Sequence, residues 1–173
     1  MPLPARDPVI ADPAPVYRLT VASPVGALTL FEQGGAITAL LWAASDRLRS
    51  ARPTPLLAAA RSQIESYFAG KLDRFHLPLA PHGSDFQRRV WDALTQIPRG
   101  QTVTYGDLAR RLGSAPRAIG GACGANPLPI LIPCHRVLAA GGRLNGYSGR
   151  GGLATKKRLL DLEGALDGAA LSG

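Results

Sequence analysis

The tripeptide Pro81-His82-Gly83 divides the chain into two parts that differ in the spacing of their apolar residues, and this division constrains the fold more than any other feature of the chain. Before it, from Val16 to Trp42, apolar and polar residues largely alternate, as in half-buried β-strands. After it, apolar residues recur every three or four positions, as in an amphipathic helix. Pro and Gly in the tripeptide are typical of a linker. We therefore predict a mixed α/β (α+β) protein in two parts, residues 1–83 and residues 84–173.

The first part is predicted to be an antiparallel β-meander with one helix. Residues 16–42 contain alternating apolar positions interrupted by turns at Ser23-Pro24-Val25-Gly26 and Gly34-Gly35. Helical spacing of apolar residues from Leu56 to Phe68 predicts the helix. The stretch Phe75 to Leu79 is a candidate short strand that returns to the sheet. The first thirteen residues carry four prolines and are expected to form a short, loose leader.

The second part is predicted to be helical. Ser84 and Gln87 have the spacing of a capping box, and the helix that they open is expected to end near Pro98. A last helix is expected from about Ala154 to Glu163, with Gly164 directly after it.

Between these helices lies a predicted helix-turn-helix. Thr104 is expected to cap a helix that ends at Gly113, and Pro116 is placed in the first turn of the next helix. That helix is expected to end at Asn126-Pro127. Two short helices joined by a tight Gly-Ser turn are typical of the motif.

Composition excludes several classes of protein. With 173 residues and 46% hydrophobic content, the chain can form a core without disulfides, and two cysteines are too few for a disulfide framework. The apolar stretches at 36–44 and 128–133 are much shorter than the roughly 20 residues of a membrane helix. We expect a cytoplasmic protein without a membrane span.

Positive charge is concentrated in the second part. The formal net charge is +8, and residues 84–173 hold 12 Lys and Arg against 6 Asp and Glu. Such a bias modestly favours a phosphate-rich partner, although basic surfaces also occur on proteins that bind no nucleic acid.

A thiol beside a histidine, Cys134-His135, is the first candidate for chemistry. A cysteine next to a potential base is suited to nucleophilic catalysis. The alternative is a small buried residue, since free cysteines are often buried. The pair alone does not decide between the two.

Three glycines make the third helix of the second part unusual. Gly120, Gly121 and Gly124 each disfavour the helix by about 1 kcal/mol relative to alanine. Such a helix allows close approach, either by another segment of the protein or by a nucleic-acid groove.

Taken together, these motifs resemble the O6-alkylguanine-DNA alkyltransferases, also called methylated-DNA–protein-cysteine methyltransferases. The resemblance is strong from about Ser84 to Gly164 and includes the run Ile132-Pro133-Cys134-His135-Arg136-Val137 and the later Asn145-Gly146-Tyr147-Ser148-Gly149. Over the first part it extends only to layout. It implies direct repair of O6-alkylguanine, and of O4-alkylthymine as a further possible substrate, by irreversible transfer of the alkyl group. The implied partner is double-stranded DNA, with no cofactor and a monomeric protein.

The resemblance also implies roles for individual residues. Cys134 would be the alkyl acceptor, activated through a water by His135, with Glu163 behind the histidine. Asn126 would tie the turn after the recognition helix to the Cys134 segment.

Further residues would contact DNA and the damaged base, which would be rotated out of the duplex. Arg117 would fill the gap that the extruded nucleotide leaves in the base stack, and Tyr105 would assist the rotation of that nucleotide. The helix with Gly120 and Gly121 would enter the minor groove. The remaining residues that would line the guanine pocket or lie near its loop are Val137, Tyr147, Ser148 and Lys156.

Two features depart from the family pattern or lie outside it. Arg150-Gly151 lengthens the binding loop by two residues relative to some relatives, which bears on the size of alkyl group accepted. Cys123 is interpreted as a packed small residue. No metal is expected, because residues 1–83 lack cysteine, and His76 and His82 cannot supply four zinc ligands.

Three rival functions follow from the same residues. A non-catalytic lesion-binding module of the same family would lack the cysteine. A helix-turn-helix regulator would be expected to carry a sensor domain. A cysteine hydrolase would need an oxyanion hole that the sequence does not locate.

Overall fold

A computed structural model describes residues 14–43 and 52–166 of the chain, so the predicted leader lies outside the described residues. Three strands, β1 (Val16–Val21), β2 (Leu28–Gln33) and β3 (Ala36–Leu41), form an antiparallel sheet in the order β1-β2-β3. The predicted meander is confirmed. Within the described ranges no helix has the length and apolar character needed to cross a membrane.

The first helix, α1 (Pro55–Phe68), covers this sheet. The Thr54 side chain accepts a hydrogen bond from the amide of Leu57 and caps the helix. The buried residues of α1 have helical spacing and join one core with Leu28, Leu30 and Ile37 of the strands. These α1 residues are Leu57, Ala60, Ile64 and Tyr67. Burial of this face fixes α1 against the sheet.

The candidate strand Phe75 to Leu79 is not formed. Its place is taken by a single parallel bridge between Ile37 and Leu79. The amide of Ile37 donates to the carbonyl of Pro78, and the amide of Ala80 donates to the carbonyl of Ile37. Pro78 and Pro81 have no backbone N–H, so the ladder cannot extend.

The second part begins with α2 (Asp85–Thr95), which carries the predicted capping box between Ser84 and Gln87. After it come β4 (Val103–Thr104), α3 (Tyr105–Leu112) and α4 (Pro116–Gly124). Trp91 of α2 donates its indole N–H to the carbonyl of Ala122 at 2.9 Å, which anchors α4.

Helices α3 and α4 form the helix-turn-helix. Gly113 ends α3 with φ of 62°, a left-handed conformation that favours glycine. Helix α4 ends at Gly124, two residues before the expected end, because Pro127 disfavours the helical conformation at Asn126.

The chain then passes through a 3₁₀ turn (Cys134–Arg136) into β5 (Val137–Leu138), which pairs in parallel with β4. This pairing was not predicted, because strands of two residues have no detectable period. The last helix is α5 (Gly152–Leu162), which begins two residues earlier than expected and has Glu163 as its C-cap.

The two parts share one hydrophobic core. The amide of Leu40 in β3 donates to the carbonyl of Pro127 at 2.8 Å, and the Tyr67 hydroxyl of α1 donates to Glu163 at 2.6 Å. The first part therefore packs directly behind the segment that carries Cys134.

Candidate active site

Cys134 is delivered by a tightly folded segment between α4 and β5. Within it Ile130 has φ of 73°, which is strained for a β-branched residue, and it is buried. The Asn126 side chain spans the turn: its Oδ1 accepts from the amide of Leu128 and its Nδ2 donates to the carbonyl of Ile132, both at 2.9 Å. Asn126 therefore connects the end of α4 to the segment that precedes Cys134.

The Cys134 side chain faces a cavity of about 190 Å³. The residue is only 4% exposed. The cavity is lined by Tyr105, Gly120, Cys123, Gly124, Cys134, Gly146, Tyr147 and Ser148. Cys123 is buried as predicted, but it also shares this cavity with Cys134. A larger cavity of about 380 Å³, which includes Arg74 and Pro133 in its lining, contains no thiol and offers no comparable chemistry.

Electrostatics around Cys134 act in two directions. Burial raises the pKa of the thiol, whereas a hydrogen bond from Asn126 and the charge of Lys156 act to lower it. Because burial prevails, the thiol is protonated at neutral pH and needs a base to become a nucleophile.

His135, the residue after Cys134, is the candidate base. Its ring is fully buried, and Nε2 lies 2.8 Å from Oε1 of Glu163. Among the described residues its Nδ1 has no hydrogen-bond partner. Burial lowers the pKa of His135 more than Glu163 raises it, so the ring is neutral at pH 7. Since a carboxylate only accepts, Nε2 carries the proton and Nδ1 is the free basic atom.

The carboxylate of Glu163 is held by three residues. Oε1 accepts from Tyr67 and His135, and Arg136 donates to both carboxylate oxygens at 2.9 Å. Burial alone would raise the pKa of Glu163, but the hydrogen bonds from His135 and Arg136 and the positive charge of Arg136 hold it well below its usual range. Glu163 is therefore an anion that orients His135.

Lys156 joins the binding loop to β5. Its Nζ donates to the carbonyls of Val137 at 2.6 Å, Asn145 at 3.0 Å and Gly146 at 3.2 Å. Burial lowers the pKa of Lys156. Three carbonyl acceptors nevertheless match the three N–H donors of the ammonium form. Lys156 thus ties the loop at Asn145 and Gly146 to the backbone of Val137 in β5.

The loop places Tyr147 over the cavity. The Tyr147 ring meets the Trp42 ring edge-on, with centroids 6.3 Å apart, and a Cβ at Gly149 would lie 2.3 Å from the Tyr147 ring. Burial raises the pKa of Tyr147, so its hydroxyl is a donor at neutral pH. Ser148 is exposed at the cavity edge.

Arg150 and Gly151, which were expected to lengthen the binding loop, do not line the cavity. Gly151 is the N-cap of α5 with φ of 85°, and the hydroxyl of Thr155 donates to the carbonyl of Arg150 at 2.6 Å. These two residues therefore lie immediately before α5, where Gly151 serves as the N-cap.

The glycines of α4 face open space. An added Cβ at Gly120, Gly121 or Gly124 would meet no atom of the described structure within 4 Å. Tight packing inside the protein is thus excluded as the reason for them. Arg117 is exposed near the start of the same helix. Tyr105, the first residue of α3, has its pKa raised to about 12 by burial and by the nearby Cys123 and Cys134.

Comparison with protein families assigns both parts of the chain. Residues 16–81 match the ribonuclease-like domain, and residues 85–165 the DNA-binding domain, of 6-O-methylguanine DNA methyltransferase. The chain belongs to this methyltransferase family. It is 42% identical over 154 residues to the methylated-DNA–protein-cysteine methyltransferase of Mycobacterium tuberculosis, covering 86% of this chain and 92% of that protein.

A further relative and a solved structure support the same family assignment. The constitutive methylated-DNA–protein-cysteine methyltransferase of Bacillus subtilis is 40% identical over 143 residues, covering 77% of this chain and 87% of that protein. The crystal structure of Mycobacterium tuberculosis OGT in complex with DNA superposes with a TM-score of 0.73 at 44% identity, covering 84% of this chain and 91% of that chain.

The structure of this family member brings most of the predicted site residues together. Cys134, Tyr105, Tyr147, Ser148 and Gly120 line one cavity, and the predicted residues His135, Glu163, Asn126, Val137 and Lys156 surround the Cys134 segment. Arg117 and Gly121 lie outside the cavity on the exposed side of α4. No group of three or more His, Cys, Asp or Glu side chains within the described ranges could hold a metal ion.

Sequence reasoning missed three residues at the site. Arg136 lies inside the quoted motif but was given no role, and Tyr67 and Trp42 belong to the first part, where the resemblance extended only to layout. Arg136 could have been noticed as a basic residue in an apolar run. Nothing in the local sequence indicates that Tyr67 reaches Glu163 across 96 residues.

Proposed function

We propose that this protein repairs DNA by moving the alkyl group of O6-alkylguanine onto Sγ of Cys134. Its family membership makes it a DNA-binding methyltransferase of the methylated-DNA–protein-cysteine type. The observation that carries the assignment of the acceptor is the buried Cys134 thiol in a cavity beside α4, with the His135–Glu163 pair behind it.

Recognition of DNA would use the open face of α4. Gly121 and Gly124 leave room for a sugar-phosphate backbone or a base edge to approach the helix. The basic excess of the second part attracts phosphates without reading sequence. The related structure with DNA supports this use of the fold.

A base must leave the duplex to reach Cys134, because the residue is 4% exposed and lies within the cavity. Extrusion requires a few kcal/mol, least for a base whose pairing is damaged. Arg117, exposed beside the glycine face, would fill the gap in the stack with its planar guanidinium. Tyr105 and Tyr147 would contact the extruded base, and the backbone of Val137 would meet its edge.

The transfer step is an in-line displacement. The proton of the Cys134 thiol passes through a bridging water to Nδ1 of His135, and Glu163 stabilises the imidazolium. The S–C bond forms as the bond between O6 and the alkyl carbon breaks, and the electron pair goes to guanine. Hydroxyl donors from Tyr147 and Ser148 stabilise the charge that develops on O6. The proton held by His135 then passes to guanine, so that both the imidazole and the repaired base end neutral.

The product is a thioether, which water does not cleave, so each molecule acts once. We propose the same route for O4-alkylthymine. A lesion-binding module without transfer is disfavoured by Cys134, and a regulator is disfavoured by the family match. A reduced acceptor thiol suits the cytoplasm, and a site built from the residues of a single chain suits a monomer.

The test is intact-protein mass spectrometry after incubation with DNA that contains a single O6-methylguanine. We expect the wild type to gain one methyl group per chain, on Cys134. The Cys134→Ala variant should bind the DNA without gaining mass. The matched control is Cys123→Ala, which removes the other thiol of the same cavity and should still accept one methyl group on Cys134. A methyl group on another residue, or repeated turnover, would refute the proposal.

A further inference from the structure

One side chain of the first part of the chain contacts the His135–Glu163 pair. Tyr67 of α1 is 1% exposed, and its hydroxyl donates to Oε1 of Glu163 at 2.6 Å. The same oxygen lies 2.8 Å from Nε2 of His135. A tyrosine of the sheet-bearing part therefore shares an acceptor atom with the proposed base.

We propose that Tyr67 is a positioning residue for alkyl transfer: its hydroxyl fixes the Glu163 carboxylate and thereby sets the tautomer and orientation of His135. This inference rests on the proposed transfer to Cys134. It gives the first part a direct role in the chemistry that is carried out by the second part.

The ring of Tyr67 is itself held in place. The guanidinium of Arg99 lies 5.0 Å from the ring centroid, and the rings of Phe68 and Phe75 lie at 5.1 and 5.3 Å. Arg99 also donates to the carbonyls of Leu72 and Leu162, both at 3.0 Å. Because Leu162 directly precedes Glu163, Arg99 fixes the backbone at the carboxylate as well as the ring that binds it.

Several other groups act on the His135–Glu163 pair besides Tyr67. Arg136 supplies two hydrogen bonds to Glu163, and Lys156 contributes positive charge from α5. Tyr67 supplies the hydrogen bond from α1. With Tyr67 and Arg136 both donating, the carboxylate is a weak proton acceptor, so the Nε2 proton stays on His135 and Nδ1 remains free to act as the base.

Removal of the hydroxyl has a predictable direction. In Tyr67→Phe the ring and its contact with Arg99 are kept, but Glu163 loses one donor and interacts more strongly with His135. The pKa of His135 should therefore rise. Because the base works only when neutral, the acid limb of the pH–rate profile should move to higher pH. Loss of orientation should slow transfer by roughly 10-fold at neutral pH, within the range that general-base catalysis contributes.

The experiment measures single-turnover transfer between pH 5 and about 9, with DNA containing O6-methylguanine and with free O6-benzylguanine. The variants are Tyr67→Phe and, as the matched control, Ile64→Val, which alters a buried residue of the same helix whose side chain cannot form a hydrogen bond to Glu163. Circular dichroism at each pH ensures that only folded protein is compared. We expect Tyr67→Phe to be slower on both substrates with a shifted acid limb, and Ile64→Val to keep the wild-type profile.

Outcomes separate this inference from the proposed function. If the wild type transfers nothing, the proposed function fails. If the wild type transfers and Tyr67→Phe has the same rate and acid limb, the role of Tyr67 is refuted. Equal losses in both variants without a shift would also refute it, since they indicate lowered stability alone. The ¹⁵N shifts of the His135 ring give a readout independent of activity: the Nδ1 and Nε2 signals should change in Tyr67→Phe only.

Discussion

Replacement of Glu163 by glutamine tests whether the carboxylate organises the site. The change keeps the size of the side chain but removes its charge and replaces one oxygen by an NH₂ group. The native carboxylate accepts hydrogen bonds from Tyr67, His135 and Arg136. If the amide oxygen keeps the place of Oε1, the new NH₂ group faces the Nε donor of Arg136.

The expected loss in the free energy of unfolding follows from the burial of Arg136, which is 6% exposed. Breaking a buried ion pair by removing one partner costs about 3–5 kcal/mol, because the remaining charge is buried without compensation. Arg136 keeps a hydrogen bond to the carbonyl of Ile97, which places the expected loss near the lower end, at about 3 kcal/mol. A domain with a free energy of unfolding of roughly 5–15 kcal/mol would remain folded but would be measurably weaker.

Urea unfolding at pH 7, followed by circular dichroism, measures this loss. The matched control is Asp161→Asn, which removes an exposed carboxylate from the same end of α5 and should change the free energy of unfolding by less than about 0.5 kcal/mol. A Glu163→Gln variant within 1 kcal/mol of the wild type would refute the view that the carboxylate compensates a buried guanidinium.

Two further predictions concern α4 and pH. Gly121→Ala should raise the free energy of unfolding by up to about 1 kcal/mol, because its Cβ enters open space, yet it should weaken DNA binding measured by fluorescence anisotropy; unchanged affinity would exclude this face from the interface. Stability should fall as pH drops below about 6.5, because the buried neutral His135 has a pKa below that of the unfolded chain, which then binds the extra proton. A further fall below about pH 4 is expected from Glu163, whose pKa is lowered in the folded protein. Stability that is constant from pH 7 to about 3 would contradict both assignments.

Local features of the fold could be predicted because short-range rules govern them. The turns at Ser23-Pro24-Val25-Gly26 and Gly34-Gly35 separate strands whose side chains alternate, so the meander follows from period and turn chemistry alone. The capping boxes at Ser84 and Thr104 likewise connect residues three positions apart. The acceptor candidate was identified by a contiguous motif around Cys134.

Pairings between distant segments could not be predicted in this way. The parallel pairing of β4 with β5 joins two-residue strands, and its register depends on the intervening helices. The candidate strand ending at Leu79 was reduced to one bridge, because neighbouring prolines lack the N–H needed for a ladder. The sequence did not decide whether the glycines of α4 allow another segment of the protein to pack closely or leave room for a nucleic-acid groove. Only the structure showed that no described segment packs against them.

By itself, the sequence determined the helix and strand periods, the caps, the turns and the candidate nucleophile, since each depends on residues within a few positions of one another. The tertiary structure alone decided that Tyr67 and Arg136 converge on Glu163, and that Cys123 and Cys134 share a cavity. Such contacts depend on how helices and sheet pack in three dimensions. Burial then determines the ionisation of each group, because a buried charge persists only where the fold brings it a partner.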